Sequence, residues 1–545
     1  MNRRHFFTTS LGASTSLLAA CQSESQRSGD VSTGTSTEVN GVYEPANQDI
    51  VRVSILNTTD LHGHVRPTYT YGGLPNVGGL ARCMSQIREW RKKNENHITL
   101  DIGDLYQGTH LSLESEGQVM IKLLNAANYD AWVAGNHDFD WGEDVFRNAV
   151  KNSSMPVLSN NISVDGFASG DPHHQGGEYA NLMPWMIKEF GEIKVGVFGV
   201  TTPGLPFWLN SGQLGSVKPI DPLAATQRTV QHLKDLGVNA IIAAGHMGLK
   251  DNYDDYANQV NRLVMGCPEI DVYVAGHTHR DRPATLVGNT LFTQAGYHGI
   301  WAGKTDLTFE RSTGKLIMRD SETTFMDRKV EEDPLALEIT TQDIENSEQE
   351  LEAKVGKLTM ELTPGSYNDF GADTQALIGA GIRHAVGKKG EKLDGVLHGT
   401  FSSSPIKAGN KSLGDMWKIL PYENRIATAS LTGEQLRAVV KESFNSGSGK
   451  RLVGFKVDSV RDYKKKERVI LSIKTAAGEE VDNAKIYRIG FNSYDAQSGG
   501  RRLLLLRELL LKPAAKTIYH PIDTRAALTD FFLDKETVKK EHLMG

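Results

Sequence analysis

The stretch that decides the fold covers residues 131–138 and reads Ala131-Trp132-Val133-Ala134-Gly135-Asn136-His137-Asp138. A short apolar run ends at a glycine, and the next residues carry amide, imidazole and carboxylate groups. Four other runs also stop at polar residues: Val51–Leu56 before Asp60, Ile98–Ile102 before Asp104, Ala240–Ala244 before His246, and Val272–Ala275 before His277. Because parallel strands end at one edge of a sheet, this pattern predicts an α/β domain with its site at that edge.

The five strand ends supply ligands for divalent metal ions. They read Asp60-Leu61-His62, Gly103-Asp104, Gly135-Asn136-His137-Asp138, Gly245-His246 and Gly276-His277-Thr278-His279. Carboxylate, imidazole and amide oxygen bind Zn, Mn or Fe, and the lack of a cysteine pair excludes a thiolate zinc site. One histidine beside a glycine is usually an ordinary loop residue. Five such pieces, all at strand ends, indicate two metal sites.

The composition excludes several function classes. The 545-residue chain has 60 Lys+Arg against 66 Asp+Glu, a formal net charge of -6, which argues against nucleic acid as a partner. With 39% hydrophobic and 23% charged residues, it resembles neither a disordered chain nor a membrane-embedded bundle. Three cysteines are too few for a disulfide scaffold; Cys83 and Cys267 are expected to be buried, and the sequence leaves open whether they form a bridge.

The chain divides into two large domains. Residues 48–330 contain the alternating strands and helices of the predicted catalytic domain. Residues 331–357 are charged and rich in glutamate, with one proline, Pro334, and no glycine before Gly356, which predicts a long exposed linker helix. Residues 358–545 mix helix and strand again and form the second domain.

The N-terminal residues have the pattern of an export signal. Residues 1–21 contain Arg3-Arg4 followed by an apolar stretch that ends in Leu18-Ala19-Ala20-Cys21. The pair of arginines resembles a twin-arginine signal, and the end of the stretch resembles a bacterial lipobox. A lipid on Cys21 is therefore the expected membrane contact, with residues 22–47 as a flexible tether. The expected location is the periplasm or cell envelope.

The metal motifs together resemble those of the calcineurin-like metallophosphoesterase superfamily, and most of the chain resembles the bacterial 5'-nucleotidase family. Further family-level motifs are Gly103-Asp104-Leu105-Tyr106-Gln107-Gly108, Leu420-Pro421-Tyr422-Glu423-Asn424 and Leu431-Thr432-Gly433-Glu434-Gln435-Leu436. The resemblance implies a four-layer α/β/β/α metallophosphoesterase domain, a helical linker, and a smaller C-terminal α/β 5'-nucleotidase-like domain that closes over the metals.

The resemblance also implies a role for each ligand of two divalent metal ions, Mn, Zn or Fe. One metal would be held by Asp60, His62, Asp104 and His279, and the other by Asp104, Asn136, His246 and His277. Asp104 would bridge the pair. A metal-bound hydroxide would attack the ester, assisted by His137, which Asp140 would orient. Asp138 stands where many relatives have Glu, a change that we interpret as minor.

The second domain departs from nucleotide-hydrolysing relatives. The segments Leu362–Gly371 and His398–Ile406 lack the arginines expected to hold a phosphate, and Gly447–Lys450 lacks an aromatic residue that would stack on a base. The family's Gly-Gly-Asp turn appears as Gly499-Gly500-Arg501, with Tyr494 as a remaining aromatic platform. Tyr494 and Arg501 are therefore the candidate substrate-binding residues. A slipped alignment is the alternative, in which Arg383 or Arg425 takes the phosphate-binding role.

Three functions follow from these observations. The leading hypothesis is an exported hydrolase of a small phosphorylated substrate that need not be a nucleotide. The second is a thiosulfohydrolase-like enzyme acting on a protein-bound sulfonate. The third is a lipoprotein that captures a ligand without turnover; His137 and Asp140 argue against it, because binding alone needs no proton donor.

Three further histidines lie outside the ligand set. His64 is interpreted either as a residue that supports the ligands or as an exposed turn residue, whereas His110 and His298 are interpreted as loop residues.

Overall fold

The computed structural model describes residues 49–169, 177–250, 255–366, 370–447 and 450–544. The predicted export signal at residues 1–21, including Cys21, and the tether at residues 22–47 lie outside this part of the chain. Within it, no helix is both long and apolar enough to cross a membrane. Cys83 and Cys267 are both buried and free, so they are not joined by a bridge.

The catalytic half alternates strands and helices, as the apolar runs predict. Its strands are β1 (Ile50–Thr58), β2 (Thr68–Tyr69), β3 (Pro75–Val77), β4 (His97–Asp101), β5 (Ala131–Val133), β6 (Val157–Leu158), β7 (Ile162–Val164), β8 (Phe167–Ala168), β9 (Leu182–Met183), β10 (Trp185–Phe190), β11 (Ile193–Thr201), β12 (Lys218–Pro219), β13 (Ala240–His246), β14 (Val272–Ala275), β15 (Asp281–Val287), β16 (Thr290–Ala295), β17 (Trp301–Glu310) and β18 (Leu316–Phe325). Its helices are α1 (Leu80–Lys93), α2 (His110–Glu114), α3 (Gln118–Ala126), α4 (Glu143–Asn152), α5 (Ser211–Leu214), α6 (Pro222–Asp235) and α7 (Val260–Gly266).

Two large sheets form the centre of this domain. The first has the strand order β18-β17-β1-β4-β5-β6-β9, and the second has the order β10-β11-β13-β14-β16-β15. The neighbouring pairs from β1 to β9 in the first sheet and from β11 to β16 in the second are parallel. All five ligand-bearing strand ends belong to these parallel strands, so their carboxyl ends can converge.

The two sheets pack face to face and are covered by helices on both outer sides. Apolar residues from both sheets, including Val53, Leu100, Val195 and Ile242, share one buried core. Residues of α1, α3 and α4 pack on the outer face of the first sheet, and residues of α6 and α7 pack on the second. The predicted four-layer α/β/β/α architecture is therefore confirmed.

The linker helix is α8 (Pro334–Glu352). Asp333 caps it by accepting hydrogen bonds from the backbone N–H groups of Leu335 and Ala336, and Pro334 suits the first turn. The predicted helix continued to residue 357, but the structure corrects this boundary. Ala353 is extended, and the following residues form the strand β19 (Lys354–Leu358), where Gly356 packs closely against the backbone of Phe532.

The second domain has its own sheet and two covering helical layers. After β19 come α9 (Thr374–Gly387), β20 (Gly395–His398), β21 (Gly409–Ser412), α10 (Leu413–Ile419), β22 (Arg425–Thr432), α11 (Gly433–Asn445), β23 (Arg451–Val453), β24 (Phe455–Asp462), β25 (Glu467–Thr475), β26 (Ile486–Asn492), α12 (Ser493–Ala496), α13 (Leu504–Leu510), β27 (Ile518–Asp523), α14 (Thr524–Lys535) and β28 (Thr537–Val538). The main sheet has the order β23-β20-β26-β22-β27. Helices α9 and α14 belong to one buried core, and α11 and α13 to another.

Candidate metal centre

The loops that carry the predicted ligands have an uncommon backbone conformation. Five ligands lie in the left-handed region, with φ between 47° and 74°: Asp60, His62, Asp104, His277 and His279. Residues other than glycine pay a conformational cost there, and such residues concentrate at functional sites. The backbone thus turns sharply at the strand ends and directs these side chains toward one place.

Glycines beside the ligands allow the loops to approach one another. A Cβ atom on Gly135 would lie 2.4 Å from Asp104 Oδ1, and one on Gly276 would lie 2.5 Å from Thr59 Oγ1. Both distances are shorter than a real contact, so only glycine fits at these two positions. The Gly-Asn-His and Gly-His pieces seen in the sequence therefore have a steric cause.

The first group of ligands contains Asp60, His62, Asp104 and His279, whose ligand atoms all lie within 4.8 Å of one another. His279 Nε2 is 3.3 Å from Asp60 Oδ1 and 3.2 Å from His62 Nε2. His62 Nε2 is 3.7 Å from Asp104 Oδ2. These four are the residues expected to hold one metal ion.

The second group contains Asp104, His246 and His277, again within 4.8 Å of one another. His246 Nε2 is 3.0 Å from Asp104 Oδ2. The buried Oδ1 of Asn136, the fourth expected ligand, has no hydrogen-bond partner among the described residues. Asp104 belongs to both groups, as a ligand that bridges two cations must.

Hydrogen bonds at the outer side of three imidazoles turn their Nε2 atoms toward the centre. His62 Nδ1 is 2.8 Å from the carbonyl oxygen of Gln107, and His246 Nδ1 is 2.6 Å from that of Ile102. His279 Nδ1 is 2.6 Å from the hydroxyl of Tyr71. A carbonyl oxygen only accepts, so His62 and His246 carry the ring proton on Nδ1 and can offer Nε2 to a metal, while the Tyr71 hydroxyl fixes the orientation of the His279 ring.

The charge state of the site also fits divalent cations. Burial lowers the pKa of His62 and of His277 to about 3, so both rings are neutral near pH 7. Against the opposing effect of burial, the charges of Asp104 and Asp60 raise the pKa of His246 to about 9, so a cation bound there would take the place of its Nε2 proton. Imidazoles, buried carboxylates and an amide oxygen without a partner form a donor set for Zn, Mn or Fe. The described residues therefore fit two metal ions.

His137 and Asp140 form a pair beside the two groups. His137 Nδ1 lies 2.7 Å from Asp140 Oδ2 across one helical turn, and its backbone N–H donates to Asp104 Oδ1. The ring of His137 is 5.3 Å from that of His62, and Tyr422 of the second domain stacks on its other side at 6.3 Å. His137 therefore adjoins the centre without being one of its ligands.

Asp138 has a role that the sequence did not reveal. Its carboxylate accepts hydrogen bonds from the backbone N–H groups of Asp104, Leu105 and Gly135, and its side chain is fully buried. Burial, together with the charge of Asp104, raises the pKa of Asp138 to about 7. Asp138 thus fixes the loop that carries the shared ligand.

Glu423 joins the two domains next to the centre. Its Oε2 accepts hydrogen bonds from Gln107 Nε2 at 2.9 Å and Trp141 Nε1 at 3.1 Å. Its Oε1 pairs with Arg525 of its own domain at 2.5 Å. Gln107 and Glu423 both lie in motifs that resemble those of the 5'-nucleotidase family. The sequence therefore marked both residues, but it did not show that they contact each other.

The two candidate substrate residues lie at the domain interface. The guanidinium of Arg501 stands 5.3 Å from the ring centre of Phe207 and 5.4 Å from that of Tyr256. The hydroxyl of Tyr494 accepts a hydrogen bond from Arg502. Trp208, which sequence reasoning missed, lies 5.3 Å from the His277 ring and lines the slot into which Gly500 fits. The turn Gly499-Gly500-Arg501 therefore contacts Trp208 of the catalytic domain, and Trp208 in turn lies beside the predicted metal ligand His277.

The remaining candidates are placed as follows. His64 stacks on His298 with ring centres 3.8 Å apart, and burial lowers the pKa of His64 to about 4, so it is not an exposed turn residue. His110 is not a loop residue but the first residue of α2. Arg383 lines a small pocket with Phe370 and Arg451, and Arg425 begins β22.

Comparison with known proteins agrees with this architecture. Residues 53–281 match the family model for the calcineurin-like phosphoesterase, and residues 354–506 match that for the 5'-nucleotidase C-terminal domain. The chain is 29% identical over 343 residues to a snake venom 5'-nucleotidase of Crotalus adamanteus, covering 58% of this chain and 53% of the relative. It is 25% identical over 509 residues to a trifunctional nucleotide phosphoesterase of Bacillus subtilis, covering 84% of this chain and 32% of the relative.

A solved structure supports the fold. The 5'-nucleotidase precursor from Thermus thermophilus matches with a TM-score of 0.67 at 21% identity, covering 90% of this chain and 97% of that one. The chain spans about half the length of the snake venom relatives that it matches. Since both domain models match in order along one chain, the protein belongs to the calcineurin-like phosphoesterases that carry a 5'-nucleotidase C-terminal domain.

Proposed function

We propose that the protein is an exported, metal-dependent hydrolase of phosphate esters. The observation that carries the proposal is the pair of ligand groups that share Asp104, with His137 and Asp140 beside them. Two divalent cations, when bound there, supply Lewis acidity toward the phosphoryl oxygens. A site that only captured a ligand would not need an oriented imidazole next to such a centre.

His137 is the proposed proton donor to the leaving oxygen. Its Nδ1 faces Asp140, whose carboxylate favours the protonated imidazolium, and the Nε2–H of that imidazolium is the proposed donor toward the substrate. The Asp140 carboxylate also keeps the ring in this orientation. Tyr422 stacks on the ring from the second domain and shields it on one side.

The proposed substrate is smaller or more anionic than a nucleoside monophosphate. Lys450, in the segment that lacks a base-stacking aromatic, pairs at 3.0 Å with the buried Asp495. Arg501 adds a second cation near the interface, against the rings of Phe207 and Tyr256. The Lys450–Asp495 pair is neutral overall, so Arg501 is the cation that supports this proposal. It stands in the turn where the family resemblance implies an acceptor for a sugar hydroxyl, and a guanidinium there favours an anionic group.

Export by the twin-arginine route and a lipid on Cys21 belong to the same proposal. They rest on the residues Arg3-Arg4 and on Leu18-Ala19-Ala20-Cys21. Cell fractionation of the wild type and of a Cys21→Ser variant tests them: the variant should leave the membrane fraction, and an unchanged distribution would contradict the lipid anchor.

The substrate experiment uses the protein starting at Gln22 with added Mn. It compares hydrolysis of bis-p-nitrophenyl phosphate, AMP, sugar phosphates and thiosulfonate conjugates. We expect turnover of generic or sugar phosphates with little release from AMP. If AMP is the best substrate, the inference that the second domain has lost its nucleotide-binding residues is wrong. Activity on thiosulfonate conjugates alone would favour the thiosulfohydrolase-like alternative instead.

The variant His137→Ala tests the mechanism. General acid catalysis contributes roughly 10²–10⁴-fold, so we expect kcat to fall by about that factor while metal content stays at two ions per catalytic centre. His384→Ala is the control, because it removes a histidine that pairs with Asp534 on the second domain. Unchanged kcat in His137→Ala would contradict the assigned role.

A further inference from the structure

A second cluster of possible metal ligands lies away from the catalytic centre. It consists of His110 and Glu114 on α2 and Glu350 on α8, and we call it the α2–α8 cluster. His110 and Glu114 are one helical turn apart, so they share one face of α2. Glu350 reaches the same place from the linker helix, which packs on α2.

The distances within the cluster suit a small divalent cation. His110 Nε2 lies 3.4 Å from Glu350 Oε2 and 3.6 Å from Glu114 Oε1, and all three ligand atoms are within 4.8 Å of one another. Zinc bonds of about 2.0–2.2 Å to nitrogen and oxygen in tetrahedral geometry place neighbouring ligand atoms roughly 3.3–3.6 Å apart. The two distances from His110 to the carboxylates therefore already have nearly the spacing of a zinc site, and the two carboxylate oxygens lie within 4.8 Å of each other.

The histidine is held in the orientation of a ligand. His110 is 5% exposed, and its one hydrogen bond among the described residues joins Nδ1 to Ser347 Oγ at 3.0 Å. The ring edge also meets Trp417 at 5.6 Å. The bond at Nδ1 directs Nε2 toward the two carboxylates, which is how a supporting residue orients a metal-bound histidine.

The negative charges of Glu114 and Glu350 also favour a bound cation. The two carboxylates are within 4.8 Å of each other, and like charges so close repel. A proton on Nε2 would neutralise one of them, whereas a divalent cation offsets both. Both glutamates are about half exposed, so an ion can enter and water can complete its coordination.

We propose that the α2–α8 cluster binds a third divalent cation, of the zinc class, which ties the linker helix to the catalytic domain. The bound ion would fix α8 at the point where the chain passes to the second domain. This inference does not depend on the reaction at the catalytic centre.

The experiment counts zinc on the full chain after chelation and reloading. We expect three ions per wild-type chain and two in Glu114→Gln/Glu350→Gln. The control Glu338→Gln/Glu345→Gln removes the same charge, from α8 alone, and should keep three. Two ions in the wild type, or three in the cluster variant, would overturn the proposal.

Two further measurements separate this site from the catalytic centre. The variant Asp104→Asn, which loses the shared catalytic ligand, should still bind one ion with the affinity of the wild-type third site, and a chain that then binds none would overturn the proposal. Zinc should also raise the Tm of the cluster variant less than that of the wild type, because one stabilising ligand is missing. Equal Tm shifts in the wild type and the cluster variant would contradict zinc binding at the α2–α8 cluster.

Discussion

Asp104 shows how much a single metal ligand depends on its neighbours. It joins the two ligand groups, its backbone is left-handed, and Gly135 packs against it. Its own N–H donates to Asp138, and its Oδ1 accepts from the backbone of His137. The position of the Asp104 carboxylate is therefore set by hydrogen bonds with groups that are not themselves metal ligands.

Asp138→Asn should weaken the loop that holds Asp104. The amide keeps one acceptor oxygen but turns an NH2 group toward backbone N–H donors, so at least one buried donor loses its partner. We expect the free energy of unfolding to fall by about 1–3 kcal/mol in urea titrations. Asp144→Asn, on an exposed carboxylate of α4, is the control and should change it by less than about 0.5 kcal/mol. Equal effects of both variants would contradict this role.

Tyr71→Phe should weaken metal binding without changing the ligands. The hydroxyl of Tyr71 orients His279, while its ring stacks on Tyr297, and phenylalanine keeps only the stacking. Loss of such a supporting bond typically costs 10–100-fold in metal affinity. Competition with a chelator measures it, with the exposed Tyr463→Phe as control. Unchanged affinity would show that stacking alone positions His279.

At the scale of elements, α8 depends on how it begins. Its side chains are mostly exposed, with only Ala336, Thr340 and Ser347 buried, so little apolar burial holds it in place. The buried Asp333 caps its first turn and pairs with Arg88 of α1. Asp333 thus begins the helix and also connects the linker to the catalytic domain.

Asp333→Ala should therefore destabilise the protein more than an average helix substitution. It removes a cap and leaves the Arg88 guanidinium without its partner, and we expect a loss of about 1–3 kcal/mol. Glu345→Ala, at an exposed site of the same helix, should change stability by less than about 0.5 kcal/mol. Chemical denaturation measures the free energy of unfolding of both variants. Similar losses in Asp333→Ala and Glu345→Ala would show that the cap does not stabilise the helix more than an exposed residue does.

At the scale of the whole molecule, Glu423 controls how the domains meet. It receives two hydrogen bonds from the catalytic domain while Arg525, stacked over Trp417, holds it from behind. On the other side of the interface, Ser498 donates to the carbonyl oxygen of Phe207. The contacts of Glu423 and of Ser498 thus join the second domain to the catalytic domain on two sides of the centre.

Glu423→Gln should favour an open arrangement of the domains. The glutamine amide cannot accept hydrogen bonds from all three donors, Gln107, Trp141 and Arg525, and it carries no charge to pair with Arg525. We expect the loss of these interactions to weaken the contact between the domains by roughly 2–4 kcal/mol. We expect a larger radius of gyration in solution scattering and a fall in kcat/KM of about tenfold or more. Glu361→Gln, which breaks an exposed pair with Lys407, should change neither. A closed and fully active Glu423→Gln would contradict this role.

The sequence by itself determined the α/β class, the order of the strands that bear ligands, and the set of ligand types. Those features are local: an apolar run makes a strand, a glycine permits the turn, and the next polar residue stands at the strand end. The pair His137–Asp140 is also local, since the two residues are three apart. The C-terminal end of α8 did not follow from the sequence, because a charged segment of good helix formers does not show where packing against α14 favours a strand.

Only the tertiary structure decided how these residues are supported. Tyr71 meets His279 across 208 residues, Gln107 meets Glu423 across 316, and His110 meets Ser347 across 237. Contacts of this kind leave no periodic trace in the sequence, because they depend on how separate elements pack. The ligands could therefore be predicted from the chain, whereas their orientation, the contact between the domains and the α2–α8 cluster follow from the packing of distant segments.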